Sequence, residues 1–238
     1  MPHDKFDRFL PWTGAIAGLA WIGQMVLFRT SAEDVPGRVA TAVIRDHIAM
    51  NYAAMGCLVV MGIALVFFAT ALRGRLRAGE AREATYSSIA YGGLLLVAAG
   101  LSQMVVWNWG LINGAADAAD DQALRILSFV EYFAFAGMGI GIATAFLATG
   151  LGGLTNDVLP RWYAILTVVL GGLSALGTAG IPPGGLVNYL LFPLWLLTTA
   201  IILGRRQGQP LGVSGPIDAD AEGLQPAARE ALGDIAAS

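Results

Sequence analysis

Six runs of mostly apolar residues, each close to the length of one membrane crossing, dominate this chain. They cover roughly residues 10–28, 48–72, 86–109, 124–150, 161–180 and 187–204. About 20 such residues carry an α-helix across a hydrocarbon layer about 30 Å thick. In lipid every backbone amide must pair inside the protein, so runs of this kind fold as a bundle of helices. The links carry turn signals such as Asn113-Gly114 and Pro182-Pro183-Gly184-Gly185. Charged residues make up 13% of the chain, half the roughly 25% of a soluble domain, and the mean hydropathy is +0.64. The sequence predicts an all-α fold: a polytopic membrane bundle of six transmembrane helices over residues 1–206, followed by a tail over 207–238.

Arginine placement gives an expected orientation. The 73–85 loop carries Arg73, Arg75, Arg77 and Arg82; Lys5 and Arg8 precede the first run, Arg161 opens the fifth, and Arg205 and Arg206 follow the sixth. The other side has Arg29, Arg38, Arg45 and Arg125, with an acidic link through Asp117, Asp120 and Asp121. The positive-inside rule then puts both termini in the cytoplasm of a bacterial plasma membrane. Trp12, Trp162 and Tyr163 suit an inner aromatic belt, and Trp107, Trp109 and Tyr189 an outer one. Thr30-Ser31-Ala32 loosely resembles a signal-peptide cleavage site, but Asp4 and Asp7 in the leading segment favour a retained anchor.

Between the first two runs, "RVATAVIRDH" reads as a short helix, lying at the surface or extending the second span. The tail, acidic through Asp218, Asp220 and Glu222, reads as disordered. The single lysine, Lys5, and the lack of a basic patch interleaved with aromatics point away from nucleic acid. Cys57 is the sole cysteine and reads as a packed thiol. Two histidines, His3 and His47, argue against a bis-histidine haem, and no cluster has metal-ligand spacing, so no cofactor or metal is expected. Gly92-Gly93 and Gly171-Gly172 do not amount to an internal repeat.

Polar side chains within spans are costly and usually face the protein interior or a wet cavity. Glu131, in "FVEYFAFAG", falls about seven residues into the fourth run, roughly 10 Å deep at 1.5 Å per residue. It borders a stripe of small residues that includes Ala134 and Gly141. On the other runs Gln24, His47, Asn51, Gln103, Asn108, Thr178 and Asn188 fall in the expected outer halves, with Trp107 and Tyr132 near them. This grading predicts one outward-opening polar pocket around Glu131, with Gln24, His47, Asn51, Gln103, Trp107, Asn108, Tyr132 and Asn188 as ligand-binding candidates. A blander account also fits: Glu131 reaches water or pairs with Arg125 or Arg45, while Gln103 and Asn51 join helices.

Burial disfavours the charged form of a carboxyl, which would make Glu131 a proton donor or a proton-coupling group. A protein that binds or transports a small hydrophobic or amphipathic molecule, or a lipid, is the first expectation. The second is a membrane enzyme using Glu131 as the catalytic general acid on a lipid-like or isoprenoid substrate, with Trp107, Tyr132 and Tyr52 stabilising cationic intermediates. No paired carboxylates, Ser-His-Asp signature or metal motif supports that second reading; Asp46 is the one further acid at a membrane edge. The third is a structural subunit. Six short spans suggest a homo-oligomer or a partner subunit within the lipid bilayer.

The stretch "LPRWYAILTVVLGGLSALG", residues 159–177, enters a penultimate span through Leu-Pro-Arg-Trp after a Gly-rich span end. It resembles actinobacterial multi-span membrane proteins grouped under a domain of unknown function. The likeness in span number and link lengths covers roughly residues 10–204. It implies location and fold class, and no functional residue.

Overall fold

The computed structural model describes residues 6, 8–29, 37–80, 84–116, 121–132, 134–156, 158–182 and 184–206. Residues 207–238, the expected tail, lie outside the described residues, as does Arg82. Nine α-helices are described: α1 (Thr13–Leu27, approached through a 3-10 turn at Leu10–Trp12), α2 (Gly37–Asp46), α3 (Ile48–Gly79), α4 (Thr85–Ala116), α5 (Asp121–Tyr132), α6 (Gly139–Thr155), α7 (Arg161–Thr178), α8 (Gly184–Leu186) and α9 (Phe192–Arg205). A 3-10 turn, Ala134–Met138, leads into α6, and a π turn, Val187–Leu191, leads into α9. Six stretches are long and apolar enough to cross a membrane: Leu10–Leu27, Ile48–Gly79, Thr85–Gly114, Ala136–Thr155, Arg161–Thr178 and Val187–Arg205.

Successive spans run antiparallel. Gly14 lies against Phe68 and Gly23 against Cys57, which pairs α1 with α3. The Arg73 guanidinium sits 5.1 Å over the Tyr91 ring and Tyr52 Oη donates to Asn113 Oδ1 at 3.3 Å, pairing α3 with α4. Gly100 meets Met138, Gly150 meets Val168, and Gly204 meets Trp12, so the chain closes back on α1 through α9. The centre is aromatic: Trp195 lies 6.2 Å from Phe68, 4.7 Å from Phe146 and 6.3 Å from Phe192, ring centroid to centroid. The end that holds Leu10 and Arg205 is termed the terminal end, the opposite one the far end.

Backbones approach closely where α4 crosses α6. A Cβ on Gly93 would stand 2.6 Å from the Ala145 amide nitrogen, and one on Gly141 would stand 2.7 Å from the Gly93 carbonyl oxygen. Membrane helices gain little from expelling water when they pair; contact between backbones through small residues holds them instead.

Three features differ from the sequence expectation. α3 and α4 each have 32 residues, about 48 Å at 1.5 Å per residue, well beyond the hydrocarbon thickness. Arg73, Arg75 and Arg77 therefore lie on the last turns of α3 rather than in a loop, where arginine is a good helix former and suits the negative helix end. Second, the fourth run is interrupted: α5 stops at Tyr132, and the stretch apolar enough to span starts at Ala136. Glu131 thus lies on α5, one residue before its end. Third, Tyr163 is buried at 3% exposure instead of standing in a belt beside Trp162, which is 64% exposed.

The "RVATAVIRDH" segment forms α2, separated from α3 only at His47, whose backbone leaves helical geometry (φ −115, ψ 23). Ile44 on α2 packs with Leu111 of α4, with Phe28 and Leu127 against them. α2 and α5 so lie alongside the far part of α4.

Candidate functional site

Two departures from α-helical geometry face each other in the far half. The first is the π turn at 187–191. Pro193 has no amide hydrogen, so the Tyr189 carbonyl four residues earlier loses its helical donor, and the proline ring crowds it. Widening to a π turn relieves that clash, and such turns often mark functional positions. The Trp21 indole Nε1 of α1 supplies the missing donor at 2.8 Å from the Tyr189 oxygen. Replacing Trp21 with Phe keeps a ring but removes that donor. A loss of about 1–3 kcal/mol in unfolding free energy is expected, read from chemical unfolding in mixed micelles.

The second is the 3-10 turn at Ala134–Met138, which packs against the π turn. Between them lies a polar knot. Asn188, 1% exposed, accepts at Oδ1 from the Ser174 hydroxyl of α7. Ser174 Oγ also lies 3.5 Å from the Gly139 carbonyl oxygen, and Thr178 Oγ1 donates to the Ser174 carbonyl at 2.9 Å. Gly139 is required here, since a Cβ would collide with Thr178 Oγ1 and come within 3.0 Å of Asn188 Nδ2.

A seam of hydrogen bonds continues from this knot toward the terminal end along α7 and α9. Trp195 Nε1 donates to Thr167 Oγ1 at 3.2 Å, and Thr167 Oγ1 donates to the Tyr163 carbonyl at 2.8 Å. The Tyr163 hydroxyl lies 2.7 Å from Thr199 Oγ1 and 3.2 Å from the Trp195 carbonyl. Buried polarity therefore runs through both halves, whereas the sequence placed it in one. Tyr163, Thr167 and Ser174 were not among the site candidates, yet with Thr178 they recur at four- and seven-residue spacing on one face of α7, a signal readable in the sequence.

The other predicted site residues separate into distinct settings. Asn51, fully buried, clamps the link after α1, accepting from the Arg29 amide at 2.7 Å and donating to the Arg29 carbonyl at 3.0 Å. His47 is half-buried, with Nδ1 3.0 Å from the Val43 carbonyl. Gln103 is exposed on the outside of the bundle and Trp107 is half-buried. Gln24 and Asn108, both 1% exposed, are interior. Asn108 Nδ2 donates to the Met104 carbonyl at 2.9 Å, and among the described residues neither Asn108 Oδ1 nor Gln24 Oε1 has a hydrogen-bond partner. The side chains of Glu131 and Tyr132 lie outside the described residues. The backbone of Glu131 is placed: Met138 abuts Gly100 and Leu127 approaches Gly110 and Gly114, so the antiparallel register sets Glu131 level with Asn108.

Neutral amides and hydroxyls of this kind orient a ligand by hydrogen bonds. Among the described residues no three His, Cys, Asp or Glu side chains converge. Six helices able to span a bilayer, packed around a buried aromatic centre, define a multi-pass integral membrane protein. No family model, curated protein or solved structure matches the chain.

Proposed function

We propose that this membrane protein binds a small hydrophobic or amphipathic molecule in its far half, where the 3-10 turn before α6 meets the π turn before α9, and that transport of that molecule is its function. The pairing of two irregular turns around buried Asn188 carries the reading. Irregular backbone at membrane depth is tolerated where it is buried in protein or lines a cavity, and carriers build their sites from interrupted helices. Gln24 Oε1 and Asn108 Oδ1, acceptors without a partner among the described residues, support it. A buried acceptor without a donor costs about 1–3 kcal/mol, and a ligand bearing O–H or N–H groups removes that cost. Glu131, level with Asn108, is the residue that exchanges the proton. With the arginines of α3 on the cytoplasmic side, the far half opens outward.

Native mass spectrometry of the purified protein, with bound small molecules extracted and identified, tests this. Wild type is expected to carry a specific adduct that Asn188→Leu loses and Glu131→Gln retains in altered amount. The same bulk phospholipid in all three proteins, with unfolding midpoints showing each one folded, would leave the turns with a packing role only.

A further inference from the structure

On its outer surface the bundle has a groove of about 520 Å³ between α3 and α4, lined by Leu58, Gly62, Val66, Ala98, Ala99 and Ser102 among others. It faces away from the core: Val59, Ile63 and Val66 along it are 45%, 58% and 38% exposed. A Cβ on Gly62 would touch nothing within 4 Å. Beyond Ala99, on the exposed face of α4 next to the groove but not lining it, stands Gln103, exposed and, among the described residues, without a hydrogen-bond partner. Its position, well inside the Thr85–Gly114 span, matters most. Acyl chains can fill the groove, but they cannot satisfy an amide, and an amide held in hydrocarbon without a partner is costly.

We infer that the α3–α4 face is the interface of a parallel homodimer in which Gln103 of each copy hydrogen-bonds Gln103 of the other. The argument is one of charge complementarity and symmetry. A carboxamide presents a positive N–H edge and a negative carbonyl edge, and a second carboxamide answers both. Copies in one membrane share an orientation, so a two-fold axis along the membrane normal brings equivalent residues together at equal depth. Gln103 thus meets Gln103 without any adjustment of register. Small residues in the groove, Gly62, Ala98, Ala99 and Ser102, let the partner helix approach closely, as is usual where membrane helices associate. This interface is independent of the interior site.

The test uses the full chain in liposomes, with energy transfer between two labelled populations at graded protein-to-lipid ratios. Wild type is expected to dimerise. Gln103→Leu is expected to weaken the dimer about tenfold, two hydrogen bonds of the strength common between membrane helices, while Gln103→Asn retains part of it. In a Cys57→Ala background, Gln103→Cys is expected to oxidise to a disulfide-linked dimer in native membranes. Ile165→Cys, on the exposed face of α7, is expected to stay monomeric. A monomeric wild type, an unchanged Gln103→Leu, equal cross-linking at both positions, or cross-linking of residue 103 to a different protein overturns the proposal. Lipid alone as the product of a photo-cross-linker at 103 does so too.

Discussion

Trp195→Ala is expected to be the most damaging truncation in the bundle, lowering the unfolding free energy by about 3 kcal/mol, the low end for a buried aromatic. The low end applies because helices that separate in a membrane enter lipid, not water, so lost contact outweighs lost hydration. Trp195 touches Phe68, Phe146 and Phe192 and donates to Thr167 Oγ1. The two contributions can be separated. Trp195→Phe keeps most of the ring contact and loses the hydrogen bond, so it should cost about 1 kcal/mol, and Thr167→Val, which also leaves the Trp195 indole N–H without its acceptor, should cost more. Unfolding curves in mixed micelles check the series. If Trp195→Phe is as harmful as Trp195→Ala, the seam holds the core and the rings do not.

Gly141→Leu is expected to do comparable harm by the opposite route, insertion instead of removal. The atoms in the way are backbone, the Gly93 carbonyl oxygen and the Val97 amide nitrogen, each 2.7 Å from an added Cβ. No rotamer change relieves such a contact; the helices must part. Overpacking usually costs about 1–3 kcal/mol, and Gly141→Leu belongs at or above the top of that range. Gly141→Ala should cost less, and so should Gly93→Ala. Because both alanines force the same separation, the double variant should be less destabilised than the sum of the two, a coupling that a double-mutant cycle measures directly.

The six spans were legible because lipid leaves the backbone no alternative to helices, and run length alone then locates them. Their ends were less legible. Arg73, Arg75 and Arg77 signal the membrane boundary, yet arginine favours a helix as readily as a loop, so α3 continues past it. The interruption after Tyr132 left no mark in hydropathy, since "FAFAGMG" is apolar throughout. The π turn was legible in principle from Pro193 within the sixth run. Of the candidate site, residue type and depth could be read but not direction. Asn51 and Gln103 look alike in sequence, yet Asn51 clamps the Arg29 backbone while Gln103 faces outward. Hydroxyl groups were undervalued because Ser and Thr can return their hydrogen bonds to their own helix, and here Ser174 and Thr167 also reach a neighbour.

The knot of Phe68, Phe146, Phe192 and Trp195 also has an electrical consequence. A membrane potential falls mainly across the stretch that water and ions do not reach, and the four rings lie within the buried core. Moving one elementary charge through a drop of 100 mV is worth about 2.3 kcal/mol. An ion held at the far end would sense little of the voltage, and the same ion passed beyond the rings would sense most of it. In the proposed carrier, voltage would therefore act on the step in which a charge crosses that layer.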